Sequence, residues 1–140
     1  MNPRLSYREV AVRGASPVGL VILLYEQAIE DLRRALAAHT RGDIEGRTRE
    51  INHAILVLGH LEATLDQAQG GAVAANLARF YQHVRQGLVQ AQLQQSTTLL
   101  GRQIAHLLEV HGAWREVEKS LLAASAQPPE PSASRSEWNA

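Results

Sequence analysis

The stretch Ala15-Ser-Pro-Val-Gly-Leu-Val-Ile-Leu-Leu-Tyr25-Glu-Gln-Ala-Ile29 decides how the rest of the chain folds. Ser16 is a favoured N-cap, because its side-chain oxygen accepts an orphan backbone N–H, and Pro17 suits the first helical position, where a missing donor costs nothing. At roughly 100° per residue, Val18, Val21, Ile22, Tyr25, Ala28, Ile29, Leu32 and Leu36 share one stripe, the pattern of a core-facing helix. Leu20 and Leu23 point away from that stripe and Leu24 lies on its flank, with Gln27, Glu30 and Asp31 further along the same back face. The first half of this helix is therefore apolar on every side and needs cover on every side, from its own chain or from a partner.

The rest of the chain supplies three more helices of similar length. The first runs from Pro17 to about Thr40, with Glu30 and Arg34 as an i,i+4 pair, Arg41 at the C-terminal dipole and Gly42 as a left-handed stop. Asp43 caps the second, which continues to about Gln67 with Ile44, Ile51, Ala54, Ile55, Leu58, Leu61 and Leu65 inward and Leu56 and Val57 off the stripe. Gly70-Gly71 breaks the chain. Ala74, Leu77, Tyr81, Val84, Leu88 and Ala91 then alternate steps of three and four, the cleanest seam in the sequence, with Phe80 flanking it. Ser96 caps the fourth helix, whose Leu100, Ile104, Leu107, His111, Trp114 and Leu121 repeat that spacing until about Ala124. Short connections make sequential helices antiparallel neighbours, so the expected fold is all-α, an antiparallel up-down-up-down four-helix bundle. Residues 1–124 form one domain with an extended N-terminal arm over 1–15, carrying Leu5, Tyr7, Val10 and Val12. Residues 125–140, rich in proline and serine, form a disordered tail in which Trp138 is the one sticky side chain.

Composition narrows the function. The chain has 140 residues, 14 basic and 14 acidic, so no overall field favours nucleic acid. There is no cysteine, hence no disulfide, thiolate metal site or thiol nucleophile. Met1 to Val12 has no apolar core of a secretory leader, and no run approaches the ~20 apolar residues of a membrane span, so a cytoplasmic protein without membrane insertion is expected.

No catalytic constellation emerges. A di-iron bundle needs two Glu-x-x-His pairs and two further glutamates. Glu50-Ile-Asn-His53 supplies one pair, while His83, His106 and His111 follow Phe80, Gln103 and Leu108 at that spacing. Glu50 reads as part of a solvated face and His111 as a satisfied core histidine. A phosphotransfer histidine would have lysine three residues on, but His53 precedes Leu56 and His60 precedes Ala63. The glycines form no phosphate loop. No metal, no cofactor and no enzymatic activity are expected. Tyr25 and Tyr81 lie on inner stripes, their hydroxyls needing partners at the edge of the bundle.

Tyr7, Val12, Ala15-Ser16-Pro17, Leu20 to Tyr25, Ala28-Ile29, the Gly42-Asp43 turn, Gly70-Gly71, Asn76-Leu77, Tyr81, Leu88, Ala91 and Trp114 stand in the order and spacing of a known family. Over about residues 5 to 118 the chain resembles the flagellar export chaperones of the FliS family. It departs from the pattern at Val18-Gly19, where the family usually has charged residues, and at Gln82-His83 after Tyr81. The resemblance implies a helical bundle that binds the C-terminal segment of new flagellin in the cytoplasm, prevents premature polymerisation and delivers it to the flagellar export gate. The residue pattern asks for such a partner independently, and it places Leu20, Leu23, Leu24, Leu56, Val57 and Phe80 at the binding surface. Tyr7 and Val10 of the arm would cover apolar surface that flagellin later takes. The alternative reading is a helical adaptor whose outer apolar surface joins two copies of the chain, with no flagellin client. Oligomeric state is open at this stage.

Overall fold

Ser16 caps the first helix as its position requires, its Oγ accepting the Gly19 N–H at 2.9 Å, with Pro17 following as the first helical residue. The computed structural model describes residues 16–126, which form α1 (Pro17–Thr40), α2 (Ile44–Ala63), α3 (Gln67–Gln94) and α4 (Thr97–Ala126). No strand occurs among the described residues. Gly42 closes α1 with φ of 74°, in the left-handed region where glycine carries no Cβ penalty. The Asp43 carboxylate then accepts the Gly46 N–H at 2.9 Å, and Ser96 caps α4 through the Leu99 N–H at 3.1 Å. The Asp43 carboxyl sits below its usual pKa, first through the Gly46 backbone bond and then through Arg41.

α1 packs on α2 and α4, and α3 packs on the same two helices, so α1 and α3 occupy opposite corners of an all-α four-helix bundle. The α1–α2 pair is the most extensively packed. Tyr25, Leu32, Ile51, Leu58, Leu61, Tyr81, Val84, Leu88, Leu100 and Leu107 are fully enclosed. Each such side chain contributes about 1.5–3 kcal/mol by leaving water, which offsets the ordering entropy of four helices. Gly87 serves the α3–α4 contact, since a Cβ there would strike the buried Gln103 side chain.

Several boundaries and faces differ from those the periodicity suggests. α2 ends at Ala63, short of Gln67, because the Thr64 hydroxyl donates to the Leu61 carbonyl at 2.6 Å and closes the last turn. The break expected at Gly70-Gly71 is present, as a kink near the start of α3: Gly71 is non-helical, with φ 54° and ψ −128°, which a residue with a Cβ adopts only under strain. Ile44 and Leu121, placed on inner stripes by spacing, are exposed, Ile44 as the first residue of α2 and Leu121 in the part of α4 that runs past the start of α1. Val18, Leu36 and Leu65 are half-buried. The opposite error occurs at Val57, which is only 6 % exposed and belongs to the core cluster, because α1 packs so closely on α2 that the buried sector of α2 widens to include it.

Asp31 is a second correction. Its place on the back of α1 suggests solvent, yet it is completely buried against α2.

Candidate functional site

Leu20, Leu23 and Leu24 occupy the first two turns of α1. Leu20 is 42 % exposed, Leu23 is half-buried, and Leu24 is half-buried and packs against the core. The contacts of Asp31 with His53 and of Arg34 with Glu50 set the antiparallel register of α1 and α2. By that register Leu24 lies level with His60, and Leu56, 58 % exposed, stands about one turn earlier in α2, level with Ala28. These leucines form a discontinuous apolar surface across the α1–α2 side of the bundle. Val57 is not part of it. Nor is Phe80, which sits on α3 at the opposite corner, half-buried against the core with its ring tilted on Tyr81 at 5.8 Å. Tyr7 and Val10 lie outside the described residues, as do the rest of the arm and the tail from Gln127 onward.

Below the leucines, a polar cluster ties α1 to α2. The buried Asp31 carboxylate accepts Gln27 Nε2 at 2.8 Å and Arg34 Nη2 at 2.7 Å on one oxygen, and meets His53 Nδ1 at 2.5 Å on the other. Arg34 also reaches Glu50 at 3.1 Å and the i−4 partner Glu30 at 3.5 Å. Burial alone would lower the Arg34 pKa, but its bonds to Glu50 and Asp31 raise it overall. Glu50 is therefore engaged across the interface and is not a plain solvated face. The Glu50/His53 pair is spent on Arg34 and Asp31, and no group of three or more residues suited to a metal exists among the described residues.

The centre of the bundle holds a second polar pair. The Tyr25 hydroxyl donates to the Tyr81 hydroxyl at 3.0 Å, with the rings edge-on at 6.1 Å between centroids. The two tyrosines satisfy each other inside the bundle, where spacing alone suggested partners at its edge. Burial first, then the neighbouring Tyr81, raises the Tyr25 pKa far above that of a free phenol, while the Trp114 indole acts weakly in the other direction. Burial raises Tyr81 likewise. His111, on the inner stripe of α4, is satisfied by Glu26 of α1 at 3.0 Å.

Sequence reasoning missed one feature. Where α1 begins, α2 turns into α3 and α4 passes Trp114, an apolar cavity of about 220 Å³ is lined by Val18, Val21, Leu65, Val73, Leu77, Tyr81 and Trp114, among others. It draws on α1, α3, α4 and the α2–α3 connection. No local spacing announces it.

The geometry defines an all-α bundle whose distinguishing chemistry is exposed apolar surface and an apolar cavity, the equipment of a protein that binds other polypeptides. No described helix is long and apolar enough to cross a membrane. Comparison with known proteins gives the particular family. The family described as flagellar protein FliS matches residues 1–121. The chain is 37 % identical over 106 residues to the flagellar secretion chaperone FliSB of Pseudomonas aeruginosa, covering 76 % of this chain and 84 % of the relative. It is 31 % identical over 110 residues to the flagellar secretion chaperone FliS of Salmonella typhimurium, covering 78 % and 82 %. A third relative, the flagellar secretion chaperone FliS of Bacillus subtilis, is 24 % identical over 119 residues, covering 85 % and 88 %. The chain belongs to the FliS family of flagellar proteins.

Proposed function

We propose that this protein is a cytoplasmic export chaperone that binds the disordered C-terminal segment of flagellin, keeps it from polymerising prematurely and hands it to the flagellar type III export apparatus. The observation that carries the reading is the exposed apolar surface of Leu20 and Leu56, extended by Leu23 and Leu24, on a bundle that belongs to the FliS family. A client that is disordered before assembly pays its ordering entropy on binding, so the chaperone has to bury a long amphipathic segment against apolar surface. Much of the gross gain is consumed by that ordering, which keeps the complex releasable at the export gate. The protein acts by binding, without chemistry of its own. Its single domain is the helical bundle of residues 1–124, and the arm over 1–15 serves as a placeholder, with Tyr7 and Val10 on the surface that flagellin takes. The tail, placed at 125–140 from sequence and beginning after Ala126 where α4 ends, is not needed for the bundle to fold.

Titration with a flagellin C-terminal peptide tests the reading. Leu20→Glu should weaken binding at least tenfold, about 1.4 kcal/mol, because the complex would bury the new charge, while the thermal melt stays near that of the unmodified protein. Peptide binding of unchanged strength in Leu20→Glu, or none in the unmodified protein, would refute it.

A further inference from the structure

The apolar cavity at the end of the bundle has an opening and a polar handle. Val73, on its rim, is 65 % exposed, so the cavity faces solvent there. Thr64, also in its lining, spends its hydroxyl proton on the Leu61 carbonyl and so retains lone pairs that accept a donor entering from outside. A flat apolar group with one N–H fits both features. Indole is that group, and about 150–250 Å² of apolar surface is buried when a large aromatic side chain is enclosed.

The chain carries an indole within reach. α4 runs antiparallel to α1, so it ends at the side of the bundle where α1 begins and where the cavity lies. Ala126 is roughly 18 Å along the helix from Trp114 on the cavity wall, at 1.5 Å per residue. The segment from Gln127 to Trp138, extended at about 3.1–3.3 Å per residue, spans up to roughly 40 Å, more than enough to turn back. Residues Pro128, Pro129 and Pro131 stiffen its first part, while the Ser132-Ala-Ser-Arg-Ser136 run lets the chain reverse.

We propose that Trp138 of the C-terminal tail docks its indole in this cavity, with the ring against Val73, Leu77 and Trp114 and the N–H toward Thr64. Val18 and Val21 of the cavity wall adjoin Leu20 and Leu24 along α1, so a flagellin segment that extends from those leucines over the cavity displaces the tail, which is then a tethered placeholder. Tethering supplies an effective concentration on the order of millimolar, so a contact of similar dissociation constant is about half occupied, which is weak enough to yield to a client. The effect on the client rests on the chaperone reading; the docking itself does not.

The test uses the full chain labelled with ¹⁵N, whose two tryptophans give two indole N–H resonances, Trp138 being the one lost in Trp138→Phe. The expected result is nuclear Overhauser contact from the Trp138 indole to the Leu77 and Val73 methyls, unchanged on tenfold dilution and abolished for Leu77 in Val73→Glu. Trp138→Ala should raise affinity for the flagellin peptide about twofold, as removal of a half-occupied competitor requires. A Trp138 signal like that of free tryptophan, contacts to the cavity from Tyr7 instead, or contacts that vanish on dilution each overturn the docking. Docking without a change in peptide affinity overturns the placeholder role. Absence of any peptide binding refutes the chaperone reading while the Overhauser contacts still decide the docking.

Discussion

Leu56 and Val57 are adjacent, both apolar and both off the regular stripe of α2, yet the structure leaves one 58 % exposed and the other 6 %. Glutamate at each position should separate them sharply. Val57→Glu removes a buried valine, about 1.5–2 kcal/mol of transfer free energy, and installs a carboxylate in a closely packed interface. A buried charge with no partner costs ~3–5 kcal/mol, less whatever the group recovers by protonating, so a net loss of about 4 kcal/mol is expected. Against a total stability of roughly 5–15 kcal/mol, that lowers the melting temperature by about 15 °C for a domain of this size. Leu56→Glu places its charge in water and should change stability by no more than about 0.5 kcal/mol. Thermal and urea melts followed by circular dichroism on the two variants measure the difference. Equal melting temperatures would show that α1 does not cover Val57, and the packing of α1 on α2 described above would be wrong.

Asp31→Ala should destabilise by about 2–3 kcal/mol in urea melts, since three donors lose a buried acceptor; Arg34 and His53 are partly exposed and recover water, which keeps the loss below that of a fully buried pair. Tyr25 and Tyr81 have pKa values raised above those of the unfolded chain, so the neutral hydroxyl pair contributes stability that is intact below pH ~10 and is lost as pH rises through the folded values. Spectrophotometric titration should accordingly show two tyrosines that ionise only as the helices melt, and ordinary phenol titration of all three would contradict this. Gly59 lies inside α2 with open space where a Cβ would go, so Gly59→Ala should stabilise by about 0.5–1 kcal/mol, whereas Gly71→Ala, at positive φ, should destabilise by about 1 kcal/mol or more; melts of opposite sign are the check.

The termini of the helices were the most legible part of the fold, because caps act within a few residues. Ser16-Pro17, Gly42-Asp43 and Ser96 each bond to a backbone group of the next turn, and each does so in the structure. The inner stripes were legible for the same reason in the middle of each helix, where Tyr25, Leu58, Tyr81 and Leu107 face the core at the angle their spacing sets. Leu20 and Leu56 were legible as surplus apolar surface.

What spacing did not decide is how wide the buried sector of each helix would be, since that depends on how near the neighbouring helix comes. Val57 and Asp31 entered the interior because α1 and α2 are the most closely packed pair, and Phe80 was separated from the leucines because α3 stands at the far corner. The Glu50/His53 pair reads as half a metal site in one helix and becomes a set of bonds to Arg34 and Asp31 only when a second helix is laid beside it. Sequence by itself determined the four helices, their order and the excess of apolar surface, because these follow from local hydrogen bonding and an angular period. The tyrosine pair and the apolar cavity were decided by tertiary structure alone, because the groups that form them lie up to dozens of residues apart and meet only when the packed helices bring their faces together.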